Sequence, residues 1–571
     1  MTTLFSEQSM TAKRLLYFLF LLPLICLSQE TAAFSYCDAS TTWNGTAWSN
    51  GEPDQTKDAV FTADYIVSGA LFYACSVVIQ GNAHVTFTQN SNAVITHNVH
   101  VQANGTLTFE SGSNLVQTLA TQNTGTVTIK RNSSLIKKDA MTLWSSPVSG
   151  QNLLDFSPET STNRFYTFNT PNNIYTMVAP AATNFETAKS YLIRTEEDHP
   201  LTPAIWEGSF EGIPNTGNIV KPLVYGSPNF AYNAVGNPYP SPINIYKFLE
   251  ANEDAIDGTI WLWRKTDDPS KSSYAVVTKL GYQSNTIPDT ANYTLQDPFE
   301  LHEDGILNTG QGFIVKANTN TNLVFNNDMR EAVSTANFFK PGQSKDNAGA
   351  DGIAASRFWI NVTAQNVFSQ VLIGYTAEAT TGYDNGLDGE SIMDGTVTLY
   401  AKIEGRKLAI EARPEFEVSD VIVLGFKAGA AGTYQFNLDH MDGLFSEGQN
   451  IFLRDKLNGT ITNLKEGSYI FTTDAGTFDN RFEILYSETL GLPSVQKEQV
   501  IIYSNAKQLT IEAPEEIYSI QIYDVTGRLI YSQANIAAQQ FTSALINTTE
   551  PVIVKIAFTN GAMVTKKTII Q

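Results

Sequence analysis

Two stretches of this chain lie over one another. Val77-Val78-Ile79-Gln80-Gly81-Asn82-Ala83-His84-Val85-Thr86-Phe87 matches Val99-His100-Val101-Gln102-Ala103-Asn104-Gly105-Thr106-Leu107-Thr108-Phe109, and a shorter copy, Thr124-Gly125-Thr126-Val127-Thr128-Ile129, follows at similar spacing. A repeat of about 20–25 residues that alternates around an Asn or Gly corner is the pattern of parallel β-solenoid rungs. One rung cannot bury its apolar face alone, so it must stack on neighbours. So few rungs imply a short solenoid capped at both ends; the alternative is a sandwich whose hairpins imitate the period. An aromatic, turn-rich stretch containing Trp43 and Trp48 precedes the repeats as a cap.

Beyond the repeats the same alternation continues in short runs broken by Gly, Pro and Asn, as in sandwiches. Aromatics make up 11% of the chain and charged residues only 16%, with 38 glycines, a mixture that favours all-β structure with many turns. A length of 571 residues allows several cores, since single domains run about 100–200 residues. The expected division is a leader at 1–33, a solenoid-like region at 34–140, a β-rich middle domain at 141–340, a linker at 341–353, a β-sandwich at 354–490 and a closing module at 491–571. The best helix candidate is 243–252, just after Pro242.

The formal charge of −21 excludes nucleic acid, whose phosphates need clustered Lys and Arg, and disfavours docking on anionic lipid. Lys13-Arg14 followed by the apolar run 15–27 is too short to cross a bilayer, which takes roughly 20 residues. It fits a secretory signal, with cleavage after Ser28 or after Ala33. No later stretch is long and apolar enough to span a membrane. Loss of Cys26 with the leader leaves Cys37 and Cys75, which in an oxidising compartment most simply pair; the alternative is two separate buried thiols.

The last stretch carries a resemblance. Val500-Ile501-Ile502-Tyr503, the turn Ile522-Tyr523-Asp524-Val525-Thr526-Gly527-Arg528, the run Val552-Ile553-Val554-Lys555 and the ending Lys566-Lys567-Thr568-Ile569-Ile570 resemble the C-terminal sorting domain of proteins exported by the type IX secretion system of Bacteroidetes-type bacteria, closest to the variety called type C. The resemblance implies a small Ig-like β-sandwich, a location outside the cell or on its outer surface, and the type IX machinery as partner. It makes Tyr523, Asp524, Gly527, Arg528, Lys566 and Lys567 the sorting signal. Upstream, Trp144-Ser145-Ser146-Pro147, Gly236-Asn237-Pro238-Tyr239-Pro240-Ser241 and Gly310-Gln311-Gly312-Phe313 look like the middle region of flavobacterial surface proteins with the same tail, and bring no activity with them. Asp289-Thr290-Ala291 resembles the O-glycosylation acceptor of these bacteria.

Motifs with a chemical mechanism are scarce. The best calcium candidate is Tyr383-Asp384-Asn385-Gly386-Leu387-Asp388-Gly389-Glu390, with Asp384, Asp388 and Glu390 as carboxylate ligands. Its spacing departs from the EF-hand loop, and a solvated turn is the simpler expectation. Asp439-His440-Met441-Asp442-Gly443 is a weaker one. His97 and His100 face opposite sides of a strand, and two further zinc ligands are not evident. No Gly-x-Ser-x-Gly elbow occurs. Trp43, Trp48, Trp206, Trp261 and Trp263 offer rings for stacking on a surface glycan, although core packing is the commoner use of Trp. The expectation is a non-enzymatic structural or adhesive protein without a cofactor, ahead of a carbohydrate-binding protein and of a hydrolase with paired carboxylates.

Overall fold

The computed structural model describes residues 37–263, 272–284, 305–332, 355–365, 367–487, 500–548, 550–559 and 562–570. The leader, the linker at 341–353 and Asp289-Thr290-Ala291 lie outside the described residues. The chain is all-β with a solenoid-like N-terminal region, as the repeat predicts.

Three parallel sheets stack coil upon coil. Ala39–Trp43, Lys57–Phe61, Ser76–Ile79 and Val99–Val101 form the first sheet; Tyr65–Val67, His84–Phe87, Thr106–Phe109 and Val127–Asn132 share the second; Leu71–Ala74, Asn92–Ile95 and Asn114–Gln117 form the third. Val77 pairs with Val99 and Phe87 with Phe109, the register that the sequence repeat gives. Inward residues recur in each coil, so like stacks on like: the Phe87 and Phe109 rings are 4.6 Å apart and nearly parallel. A polar ladder runs beside this apolar column. Asn114 donates to Asn92 at 2.9 Å, Asn92 donates to the Ala70 carbonyl at 3.2 Å, and Arg131 donates to Asn114 at 2.8 Å. Gly125 is required where it stands, because its φ is +81° and a Cβ would collide with the Val101 carbonyl.

Both ends are capped. Trp43 and Trp48 pack edge-on against Tyr65 and Phe61 at one end. At the other, Glu207–Pro214 runs antiparallel to Val127–Asn132 and extends the second sheet. Cys37 and Cys75 are bonded, with Cα atoms 6.1 Å apart, which ties the chain ahead of the first strand to a corner of the stack.

The middle region holds a four-stranded antiparallel sheet (Met141–Ser145, Phe165–Asn169, Ile174–Met177, Ser190–Arg194) and a five-stranded one that includes Tyr232–Gly236, Ile256–Trp263 and Gly312–Ala317. The expected helix is Ile245–Ala251, capped by Asn244, whose side chain accepts from the Lys247 N–H at 3.0 Å. Ile245, Phe248 and Leu249 fall on its buried face at helical spacing. The three middle motifs meet at one place. Ser145 N donates to the Gly310 carbonyl at 2.9 Å, Asn237 N to the Gln311 carbonyl at 3.0 Å, and Leu115 N of the solenoid to the Pro240 carbonyl at 2.8 Å. The Asn237 amide reaches the Ser241, Leu307 and Asn308 carbonyls. Arg330 is buried, with no carboxylate partner among the described residues; it bonds Ser241, Thr216, Asn327 and the Leu115 carbonyl and lies 4.9 Å from the Tyr239 ring.

The region after it is a single eleven-stranded sheet that folds over on itself. Phe471, near one end of the strand order, lies 4.9 Å from Phe482 and 5.6 Å from Phe426 in the opposite half. Its outer face packs on the middle region through Trp261, Val276, Leu280, Trp359, Leu372 and Ile410. The tail closes its own core around Ile520, Ile522, Val554, Ile556 and Val564, and its strands pair only with one another among the described residues.

Two stability predictions follow from these fastenings. Arg330→Met leaves the Leu115 carbonyl and its polar neighbours without their donor, and should lower unfolding free energy by about 2–4 kcal/mol in denaturant titration. Replacing both Cys37 and Cys75 by Ser frees a long loop and should cost about 4 kcal/mol in the chain-entropy account, read as a lower denaturation midpoint than that of the oxidised protein.

Candidate functional site

The tail turn is built by one carboxylate. Between strands Gln508–Asp524 and Leu529–Thr542, Asp524 accepts from the Thr526 hydroxyl at 2.6 Å, the Thr526 N–H at 2.9 Å and the Arg528 N–H at 3.0 Å, while its second oxygen accepts from the Arg528 side chain at 3.0 Å. These donors, the Thr526 hydroxyl foremost, hold the Asp524 carboxyl down at about 2. Gly527 supplies a φ of +85°. The result is a pre-shaped knuckle that presents the Arg528 guanidinium, 81% exposed, to solvent. Tyr523 sits half-buried beside it, donating to Gln521 at 3.0 Å, with the Lys555 ammonium 5.5 Å from its ring.

The two terminal lysines part company. Met563–Ile569 pairs with Pro551–Phe558 so that Lys566 lies opposite buried Val554 and Lys567 opposite Ile553. Successive strand residues face opposite ways. Lys566 therefore turns inward and donates to the Val500 carbonyl, fastening the start of the module to its end. Lys567 points outward and is exposed. Lys555 was not marked by the sequence, although its place in Ile553-Val554-Lys555 puts it on the same outward face as Ile553.

The acidic loop does not gather its carboxylates. Asp384 accepts from the Thr380 N–H and hydroxyl, and Asp388, fully buried, accepts from the Asp384 N–H at 2.6 Å and the Ala412 N–H at 2.7 Å. Glu390 is paired with Lys316 and Arg406, each at 2.5 Å. A calcium ion needs oxygens that face a common point, whereas these face N–H groups and cations. Among the described residues only Cys37, Asp58 and Cys75 bring three ligand atoms within 4.8 Å of one another, and two of those are the bonded sulfurs. The loop is a strap instead. Gly386 N donates to the Asp257 carbonyl at 3.1 Å and Lys279 N to the Gly386 carbonyl at 2.9 Å, and a Cβ on Gly258 would collide with Gly386.

Tryptophans are used internally. Trp261 is fully buried and donates to the Glu390 carbonyl at 2.9 Å; Trp263 donates to the Met141 carbonyl at 3.1 Å and Trp206 to Glu196 at 3.0 Å. Trp43 and Trp48 are half-buried in the solenoid cap. His84, His97 and His100 each bond a Thr of the next coil, Thr106, Thr121 and Thr124, which makes them part of the stack. Asp439 is likewise occupied, by His440 and Asn361.

A family model described as Domain of unknown function (DUF8693) matches residues 36–486, and a second, Domain of unknown function (DUF8694), matches residues 490–570. No curated protein matches the chain. Solved structures it is similar to include a DUF3244 family protein with an immunoglobulin-like β-sandwich fold from Bacteroides vulgatus (18% identity, 13% of this chain and 84% of that one, TM-score 0.12). PorZ, an essential surface component of the type IX secretion system of Porphyromonas gingivalis, is 12% identical over 72% of this chain and 68% of its own, with a TM-score of 0.12. A β-glucuronidase of an uncultured Clostridium is 11% identical over 24% and 35%, with a TM-score of 0.11. At these scores none of the three carries an argument about fold or activity.

Beneath the strap lies a carboxylate that titrates late. Asp257 is buried, one oxygen accepts from the Thr259 N–H at 3.0 Å, and the other has no hydrogen-bond partner among the described residues. Burial pushes its carboxyl up to about 7. A raised folded value means that its stability contribution is whole below the unfolded value of 3.8 and is lost as pH rises to about 7. Asp257→Asn should therefore reduce the fall in melting temperature between pH 5 and pH 8, by an amount equivalent to about 2 kcal/mol, measured by calorimetry at both pH values.

Proposed function

The chain belongs to the DUF8693 family, and we propose that it is an exported, non-enzymatic surface protein whose closing module is an address read by a type IX secretion machinery. The single observation that carries this reading is the self-contained tail. It has its own core, shares no strand with the preceding sheet among the described residues, and presents the Asp524–Arg528 knuckle in a fixed shape before any partner arrives. A module of this kind can be recognised as a folded object and can be separated from its cargo without tearing a sheet.

The upstream body supports a structural or adhesive role. Trp43, Trp206, Trp261 and Trp263 are bonded to carbonyls or a carboxylate and Trp48 packs on Phe61 and Tyr65, while the acidic loop serves as a strap, so the candidate sugar and metal groups have partners within the protein. The Cys37–Cys75 bond suits an oxidising compartment, and no helix among the described residues is long and apolar enough to cross a membrane.

Fusion of residues 493–571 to a periplasmic reporter, in a bacterium with a type IX system, should bring the reporter to the cell surface, scored by protease accessibility of intact cells. Removal of the same residues from the full chain should hold it in the periplasm. Unchanged export of the truncated chain would refute the address.

A further inference from the structure

The tail differs electrically from its cargo. Residues 500–570 hold five Lys or Arg and five Asp or Glu, so the whole of the −21 net charge lies upstream. Within the tail the charges are also sorted by face. Across the sheet, Tyr523 lies opposite Ile553 and Ile553 opposite Lys567; Gln521 lies opposite Lys555, and Lys555 opposite Thr565. Residues directly opposite share a face. This outward face ends in Pro551 opposite Ile569 and Ala557 opposite Met563, and continues through Ser532, opposite Gln521, and Ala534, opposite Ser519. Over Ser519–Tyr523 and the described residues paired with them it carries two lysines and no carboxylate; Glu512, outward farther along the same strand, accepts from the Tyr503 hydroxyl at 2.8 Å. Met563 and Ile569 on it are 57% and 52% exposed.

We propose that this face, centred on Tyr523, Ile553, Lys555, Met563, Lys567 and Ile569, is a docking surface for an acidic protein partner with an apolar strip. The inference rests on the reading of the tail as an address and says which side of it is read. A protein fits better than a membrane. An anionic lipid surface is usually met by clusters of four to eight basic residues, whereas this face carries two lysines, and a cargo of net charge −21 is repelled by the same lipid. Lys555 and Lys567 instead stand between exposed apolar side chains, Met563 at one end of the face and Ile569 at the other, a mixed patch that a protein surface of opposite charge can cover. Acidic patches on the partner would select the tail against the acidic body of the same chain. Lys566, turned inward to Val500, takes no part.

The test uses the full chain in a bacterium with a type IX system. Lys555→Glu with Lys567→Glu should lower the surface fraction about tenfold, as reversal of interface charges does, with an unchanged melting temperature for the purified protein. Lys555→Arg with Lys567→Arg should export normally. Lys566→Met should lower the melting temperature of the tail and leave the docking face intact. If the double Glu variant is exported like the parent while the tail deletion is not, the docking face is wrong and the address stands. If the tail deletion itself is exported, the address reading fails first. Should the Glu variant misfold, Lys555→Gln with Lys567→Gln decides by the same measure. Binding of the purified parent to phosphatidylglycerol vesicles, lost in the Glu variant, would assign the face to lipid and overturn the proposal.

Discussion

A stack of parallel coils has no natural end. Each rung offers the next a row of N–H and C=O groups and an apolar cross-section, and the last rung offers them to solvent or to another molecule. The middle region of this protein is organised around closing that end. Glu207–Pro214 continues the second sheet in the antiparallel sense. Leu115, in the last strand of the third sheet, donates to the Pro240 carbonyl and accepts from Arg330, and Asn123 at the end of the first donates to the Pro214 carbonyl. Trp-Ser-Ser-Pro, Gly-Asn-Pro-Tyr-Pro-Ser and Gly-Gln-Gly-Phe thus belong to a joint. Gly236 and Gly312 have no room for a Cβ there, with Ser145 beside one and Ser190 and Leu143 beside the other.

The same economy of partners explains the contact between the middle region and the folded-over sheet. Trp261, Trp359 and Arg357 each reach across it to a backbone carbonyl, of Glu390, Tyr282 and Leu280 respectively. Large rings bury apolar area while their single N–H group finds an acceptor, which makes Trp suited to such a contact. Asp257 departs from this economy, a buried carboxylate with one oxygen unanswered among the described residues; burial pushes it and Asp388 of the strap both up to about 7, which makes the contact sensitive to pH.

Much of this was legible beforehand where the reason was local. The coil register followed from the repeat because a parallel stack must place like residues over like, as Phe87 over Phe109. The helix, expected at 243–252 from the proline just before it, is found at Ile245–Ala251. The tail strands followed from period-two alternation. What stayed hidden depended on partners distant in sequence. Nothing local in Trp261-Leu262-Trp263 tells whether a ring faces water or another sheet. Nothing in Asp384 or Asp388 tells whether a carboxylate will meet a cation or the Ala412 N–H. The folded-over sheet pairs Val367–Tyr375 in parallel with Arg406–Arg413, a crossover that alternation alone does not order.

Lys566 and Lys567 show how an edge strand divides two adjacent charges between its faces. Met563–Ile569 is an edge strand, and exposed edges invite pairing with other chains unless charge is placed on them. Two consecutive lysines do this on both faces at once, because neighbours in a strand point opposite ways. The inward one closes the module on Val500, and the outward one keeps a charge on a face where Met563 and Ile569 are exposed. Adjacent lysines in Met563–Ile569 therefore answer the needs of an edge strand before any partner is considered.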